Sequence, residues 1–171
     1  MTYRLRKLTL GDEEKFLAYH HHWKEESMVP HALSLEDRTF QAHLSMLSLR
    51  EQGLYKPDMY VPDKLYVMVD EQDTFLGMLN LRLSLNEHLL DYGGHIGYGI
   101  HPCHRNKGLG KMILKLGLEK AKRHGIFHVL VTCNEENIAS RKVIEGCGGQ
   151  YENKLYKTDG YILRYWIHLN P

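Results

Sequence analysis

The sequence predicts an α/β (α+β) domain whose sheet is mixed, largely antiparallel and flanked by helices. Three observations carry that expectation. Short runs rich in β-formers follow one another across polar turns in the middle and at the end of the chain. One long run of helical period opens at Gly108, between two such strands. The resulting order, β-α-α-β-β-β-α-β-α-β-β, lacks the regular strand–helix alternation of a doubly wound sheet. At 171 residues and roughly 150 per domain, a single domain over 1–171 is expected, with no linker-like stretch inside it.

Tyr3 to Leu8 alternates weakly and reads as a first strand. Asp12 then caps a helix with Phe16, Leu17 and Trp23 as apolar positions. A second helix is expected from Ser34, with Asp37 as its capping-box partner and Phe40, Leu44 and Leu47 at helical spacing. Gly53 stops it. Pro57 and Pro62 make residues 54–63 an irregular surface segment. Leu65–Val69 and Phe75–Leu83 are strands joined by the turn Asp70–Asp73. Ile96, Tyr98 and Ile100 alternate with Gly97 and Gly99, the pattern of a strand against which something packs closely. Leu109, Met112, Ile113 and Leu116 then form one face of a helix that stops at Gly125. Val129–Cys133 is a short buried strand, Ile138–Glu145 a short helix, and Tyr151–Tyr156 with Tyr161–Leu169 a hairpin over Asp159-Gly160.

Composition narrows the function. Hydrophobic residues at 43% and charged residues at 25% exclude disordered and collagen-like chains. A net charge of +1 gives no basic footprint for duplex nucleic acid and no acidic tail. Cys103, Cys133 and Cys147 are an odd set without a CxxC pair, which argues for reduced thiols and a cytoplasmic protein rather than a disulfide framework or a zinc site. No apolar leader or membrane-length run is present in the sequence. The 12 histidines make the surface acid-sensitive. The run His20-His21-His22 lacks the i, i+4 spacing of helical metal pairs and reads as a solvated or cleft-lining helix end, so no metal is expected.

The chemistry-bearing segment is Ile100-His-Pro-Cys-His-Arg-Asn-Lys-Gly-Leu-Gly-Lys111. Gly108 and Gly110 permit close backbone approach at a helix N-terminus, where unpaired amides and the helix dipole favour phosphate. Arg105, Lys107 and Lys111 add positive charge. A P-loop would need glycine where Arg105 stands and Ser or Thr where Met112 stands. A dinucleotide fingerprint would need glycine in place of Ile113. Both fail.

Arg105-x-x-Gly108-x-Gly110 instead resembles the Arg/Gln-x-x-Gly-x-Gly/Ala signature of the GNAT superfamily of N-acetyltransferases. The segment from Asn134 through Asn137 and Ser140 to Gly149 resembles that family's Asn-x-x-Ser stretch and Gly turn, and Gly93–Tyr98 looks like a poorly characterised bacterial subgroup. The resemblance implies a GNAT fold with splayed central strands and an acetyl-CoA co-substrate. It places the pyrophosphate on the backbone of Arg105, Asn106, Lys107, Gly108, Leu109, Gly110 and Lys111. Ile100 would bond the pantetheine arm and polarise the thioester. Asn134, Asn137 and Ser140 match cofactor-reaching positions, although Asn and Ser at a helix start also serve as caps.

Two positions depart from the family pattern. Ile144 stands where many members keep a tyrosine acid, and Gly94, His95 and Thr132 stand where many keep a carboxylate base. His95 is then the expected base and Tyr98 the expected acid, Tyr161, Tyr165 and solvent being alternatives. The expected activity is acetyl transfer to a primary amine, small molecule or peptide, by direct attack in a ternary complex. The alternative is a GNAT-fold acyl-CoA-binding or regulatory protein without turnover. An acceptor pocket is expected from the first two helices, residues 54–63 and the final hairpin, with Trp23, Tyr55, Tyr60, Glu87 and Tyr161. The exposed terminal strand is suited to pairing in a homodimer.

Overall fold

The computed structural model describes residues 2–23 and 28–171. The strands form two antiparallel sheets. The first holds β1 (Arg4–Arg6), β2 (Asp63–Val69), β3 (Phe75–Arg82) and β4 (Ile96–Ile100) in that spatial order. The second is β5 (His128–Asn134), β7 (Gly160–His168) and β6 (Gln150–Lys157), with the C-terminal strand in its centre. Both faces of the first sheet are covered. Helix α3 (Leu109–Arg123) packs Ile113, Leu114 and Leu118 against Leu79, Leu81 and Ile96, while α1 (Glu13–His21) and α2 (Phe40–Glu51) cover Leu65, Val67 and Met78 on the other side. Helix α4 (Ile138–Glu145) lies beside α3 and buries Ile144 completely.

Among the described residues no ladder joins β4 to β5. Their junction is His95: its backbone N–H donates to the Leu130 carbonyl (2.7 Å) and its Nδ1 accepts from the Leu130 N–H (3.0 Å). Beyond this clasp the two strands part. Gly94 makes the clasp possible, because its φ of 66° lies in the left-handed region and a Cβ there would stand 2.5 Å from the Leu130 carbonyl oxygen.

Element order matches the sequence expectation, with differences at one helix start, at one cap and in short turns between elements. Helix α2 begins at Phe40, not Ser34. Thr39 caps it through an N–H···O bond from Ala42 (3.2 Å), and Glu36 in the preceding turn has a φ of 50° that no right-handed helix accommodates. Asp12 precedes α1 but does not bond into it. Its carboxylate accepts from the Thr9 backbone (2.7 Å) and from the Arg6 guanidinium (2.8 Å), which holds it below the usual carboxylate range. Leu89–Gly93 forms a π-helical turn that carries no sequence signal. No described helix is long and apolar enough to cross a membrane. Cys103, Cys133 and Cys147 are all free thiols.

His43 takes a core position of α2 that the sequence pattern assigned to leucines. It is fully buried beside Phe16, ring centroids 5.5 Å apart, and neither ring nitrogen has a partner among the described residues. A buried polar group without a partner costs about 1–3 kcal/mol. Substitution His43→Leu is therefore expected to stabilise the protein. Each kcal/mol is worth about 2–4 °C in a chain of this size, so the melting temperature should rise by several degrees. A fall would show that the imidazole is bonded after all.

Candidate active site

The turn between β4 and α3 has a geometry that suits an anion. Asn106 and Gly108 adopt left-handed backbone, with φ of 61° and 75°. This aligns the consecutive amides of Asn106 to Lys111 at the start of α3, and none of them has an acceptor among the described residues. The first amide to be used is that of Met112, which donates to the Gly108 carbonyl (3.4 Å). The helix dipole adds partial positive charge at the same point. Beside Gly108 the space is open: a Cβ there would meet nothing within 4 Å.

A cavity of about 530 Å³ opens from this turn and runs between the end of β4 and α4. It gathers most of the residues singled out by sequence: Tyr98, Ile100, Arg105, Asn106, Gly108, Leu109, Gly110, Lys111, Asn137 and Ser140. Lys107 is turned away, its Nζ donating to the Cys103 carbonyl (3.2 Å). Asn134 lies in a separate hollow beside the β6–β7 turn. Asn137 caps α4, its Oδ1 accepting from the Ser140 N–H (3.0 Å). Ser140 keeps its hydroxyl free to sit 3.2 Å from the Tyr98 phenol, and burial pushes that phenol up to about 12.

Sequence reasoning missed Val29 and Val143 in this wall and assigned Trp23 to a different pocket. Arg105 stacks over Trp23 (5.4 Å) and donates through Nε to the Ile100 carbonyl (3.2 Å). Val29 lies on β4 because Gly99 has no side chain; a Cβ would be 2.4 Å from the Val29 carbonyl oxygen. The Gly97/Gly99 alternation was the sequence signal for this contact, but it could not name the partner. Gly110 serves packing as well, since a Cβ there would press on Val143 of α4 at 3.1 Å.

The expectation that His95 is a general base is corrected by its position. Its Nδ1 already accepts from Leu130, it is 8% exposed, and it does not line the cavity. Burial, with the nearby Arg82 charge, pushes its imidazole down to about 4. Such a ring is a structural clasp. The other two departure positions are also occupied structurally: Ile144 is core, and the Thr132 hydroxyl donates to the Tyr92 carbonyl (2.9 Å).

Comparison with known families matches residues 3–150 to the acetyltransferase (GNAT) domain. The chain belongs to the GNAT acetyltransferase family. As a GNAT domain it is an acetyl-CoA-dependent acetyltransferase. Solved structures share the fold at low identity. A ribosomal-protein-S5-alanine acetyltransferase from Vibrio fischeri is 16% identical with a TM-score of 0.72, over 98% of this chain and 93% of that one. RimL, a ribosomal L7/L12 α-N-protein acetyltransferase in complex with coenzyme A, gives 16% and 0.73 over 99% and 95%. The yncA protein of Salmonella typhimurium, with acetyl-CoA, gives 15% and 0.61 over 99% and 95%. No curated protein matches the chain.

The GNAT domain has a second cavity, of about 300 Å³, on the α2 side of the first sheet. Tyr55 and Tyr60 line it as expected for an acceptor pocket, together with Asp63, Asn80 and Arg82 from β2 and β3. Tyr161 does not; it lies by the β6–β7 hollow with Asn134. Glu87 lines none of these cavities, being exposed ahead of the π-helical turn.

Proposed function

We propose that this enzyme transfers an acetyl group from acetyl-CoA to the primary amine of an acceptor by direct attack in a ternary complex. The observation that carries the reading is the run of unbonded amides at the start of α3, opening into a cavity that also contains the Tyr98–Ser140 pair. Acetyl-CoA supplies an activated thioester carbon. The amides of Asn106–Lys111 hold the pyrophosphate, Arg105 and Lys111 add charge, and the splay of β4 from β5 leaves the Ile100 N–H to polarise the carbonyl. The amine nitrogen bonds to the carbonyl carbon as the C–S bond breaks. The amine proton passes to water, because His95 is committed to Leu130.

Tyr98 is the group we assign to the leaving sulfur. With its phenol held up to about 12, it remains protonated throughout the working range. A thiol near 8.5 is a much stronger acid, so Tyr98 stabilises the thiolate by a hydrogen bond rather than by giving up its proton. Substitution Tyr98→Phe is expected to lower kcat by about 10²-fold, the lower end for one hydrogen-bond donor to a developing anion, with KM for acetyl-CoA little changed. His95→Ala should weaken thermal stability yet leave the kcat–pH profile without a lost imidazole step. A spectrophotometric screen for CoA release over amines tests the activity itself. Binding of acetyl-CoA without release across the whole panel would favour an acyl-CoA-binding protein instead.

A further inference from the structure

Resting on that reading, we infer that the acceptor is a small amine that also carries a carboxylate, an amino acid rather than a polyamine, and that Arg82 receives the carboxylate. The charges lining the smaller cavity pair off almost completely. Arg38 is bonded to Glu36 (2.7 Å) and Arg50 to Asp63, whose other partner is the Asn80 amide (3.0 Å). Asp63 stands opposite Arg82 in the β2–β3 register, yet its carboxylate is turned to Arg50 and Asn80. Arg82 is thus left without a carboxylate within 4 Å among the described residues.

Its guanidinium is tethered on one side only. Nη1 donates to the carbonyls of Gly93 (2.9 Å) and Gly94 (3.0 Å). Nε and Nη2 have no acceptor among the described residues, and Nη2 lies beside β4, 3.6 Å from the place a Gly97 Cβ would take. A half-buried guanidinium whose Nε and Nη2 are unspent matches the two oxygens of a carboxylate. Alongside it, Asn80 is 2% exposed and paired with Gly97 across the ladder, and its Oδ1 has no donor among the described residues. That oxygen suits an N–H of the same ligand.

Distance and size agree. Arg82 faces β4 at Gly97, the cofactor cavity reaches the same strand at Gly99, and the Val29–Pro30 segment lies over these two glycines between the cavities. Two residues of strand span about 7 Å, the reach of a short amino acid held by its carboxylate. The cavity of about 300 Å³ sits at the lower bound for small-molecule pockets. A polyamine would bring further positive charge to an arginine that has no carboxylate within 4 Å among the described residues.

The test compares free amino acids, the amides of the same amino acids, a short peptide and polyamines as acceptors, by CoA release and by thermal shift on the acetyl-CoA complex. At least one free acid is expected to work with a KM about 10–100-fold below that of its amide, the worth of one charge-assisted contact. Arg82→Met should erase the acid–amide difference and spare the acetyl-CoA thermal shift, while Arg82→Lys should keep part of the preference. Should Arg82→Met fail to fold, the acid–amide ratio of the natural enzyme and of Arg82→Lys still decides. Amides or polyamines matching the acids, the peptide surpassing them, or no acid binding at all, would overturn the inference while leaving acetyl-CoA binding intact. Loss of acetyl-CoA binding in the natural enzyme would instead overturn the underlying reading.

Discussion

Substitution Gly108→Asp is expected to abolish acetyl-CoA binding while the protein stays folded. Gly108 holds a φ of 75° with open space around its Cα, so the variant meets no steric clash. It does carry the left-handed penalty of about 1–2 kcal/mol for a residue with a Cβ. The larger effect is electrostatic: a carboxylate would compete for the free amides of Asn106–Lys111 and repel a diphosphate. A ligand at about 100 times its Kd stabilises the native state by roughly 2.7 kcal/mol, and the whole of that thermal shift should vanish. Gly108→Asn is the control, because asparagine tolerates this backbone without the charge and should keep most of the shift. Gly110→Asp is a less clean probe, since it also pushes Val143 and should lower the melting temperature without ligand. Arg105→Ala should weaken binding only partly, the seat being mainly backbone. Full binding by Gly108→Asp would place the phosphate elsewhere.

Lowering the pH from 7 towards 4 is expected to cost several kcal/mol of stability. His43, His95 and His101 are buried, at 0%, 8% and 6% exposure. Burial pushes each imidazole from 6.5 down to about 4, neighbouring charges adding to the effect. Above pH 6.5 these rings are neutral in both folded and unfolded chains and contribute no pH dependence. Between 6.5 and about 4 the unfolded chain binds protons that the native state refuses, so stability falls with pH across that window and levels off below it. For His43 and His95 the loss is on the order of 2–3 kcal/mol each. The carboxylates of Asp12, Glu51 and Asp73 are held low by their cationic partners and so weaken the fold only at lower pH still. Urea unfolding at pH 7, 6, 5 and 4 measures the slope, and His43→Leu should flatten it by one group's share. A flat profile down to pH 5 would mean these rings are protonated or hydrated in the native state.

Legibility followed locality. The turn before α3 was readable because its determinants are adjacent in sequence: Gly108 for left-handed backbone, Gly110 for close approach, Arg105 and Lys111 for charge. The short helix Ile138–Glu145 was predicted to the residue because Asn137 caps it and its apolar face is periodic. Where a sequence signal was ambiguous, the error ran towards the more familiar reading. Ser34 and Asp37 have capping chemistry, but the positive φ at Glu36 belongs to a turn that no propensity scale reports.

Element order, the glycine turn before α3 and, through its resemblance, the family were written in the sequence. All three depend on periodicity and on residues within one or two turns of each other. Tertiary structure decided everything that depends on partners distant in the chain. It made His95 a clasp, because Leu130 on another sheet takes its free nitrogen. It brought Tyr98 to Ser140 across 42 residues. It also left Arg82 without a contacting carboxylate among the described residues, by turning Asp63 towards Arg50 on a helix. A side chain's type is written in the sequence, but its protonation, its spare hydrogen bonds and its unmatched charge depend on what the fold packs against it, and those set its chemistry.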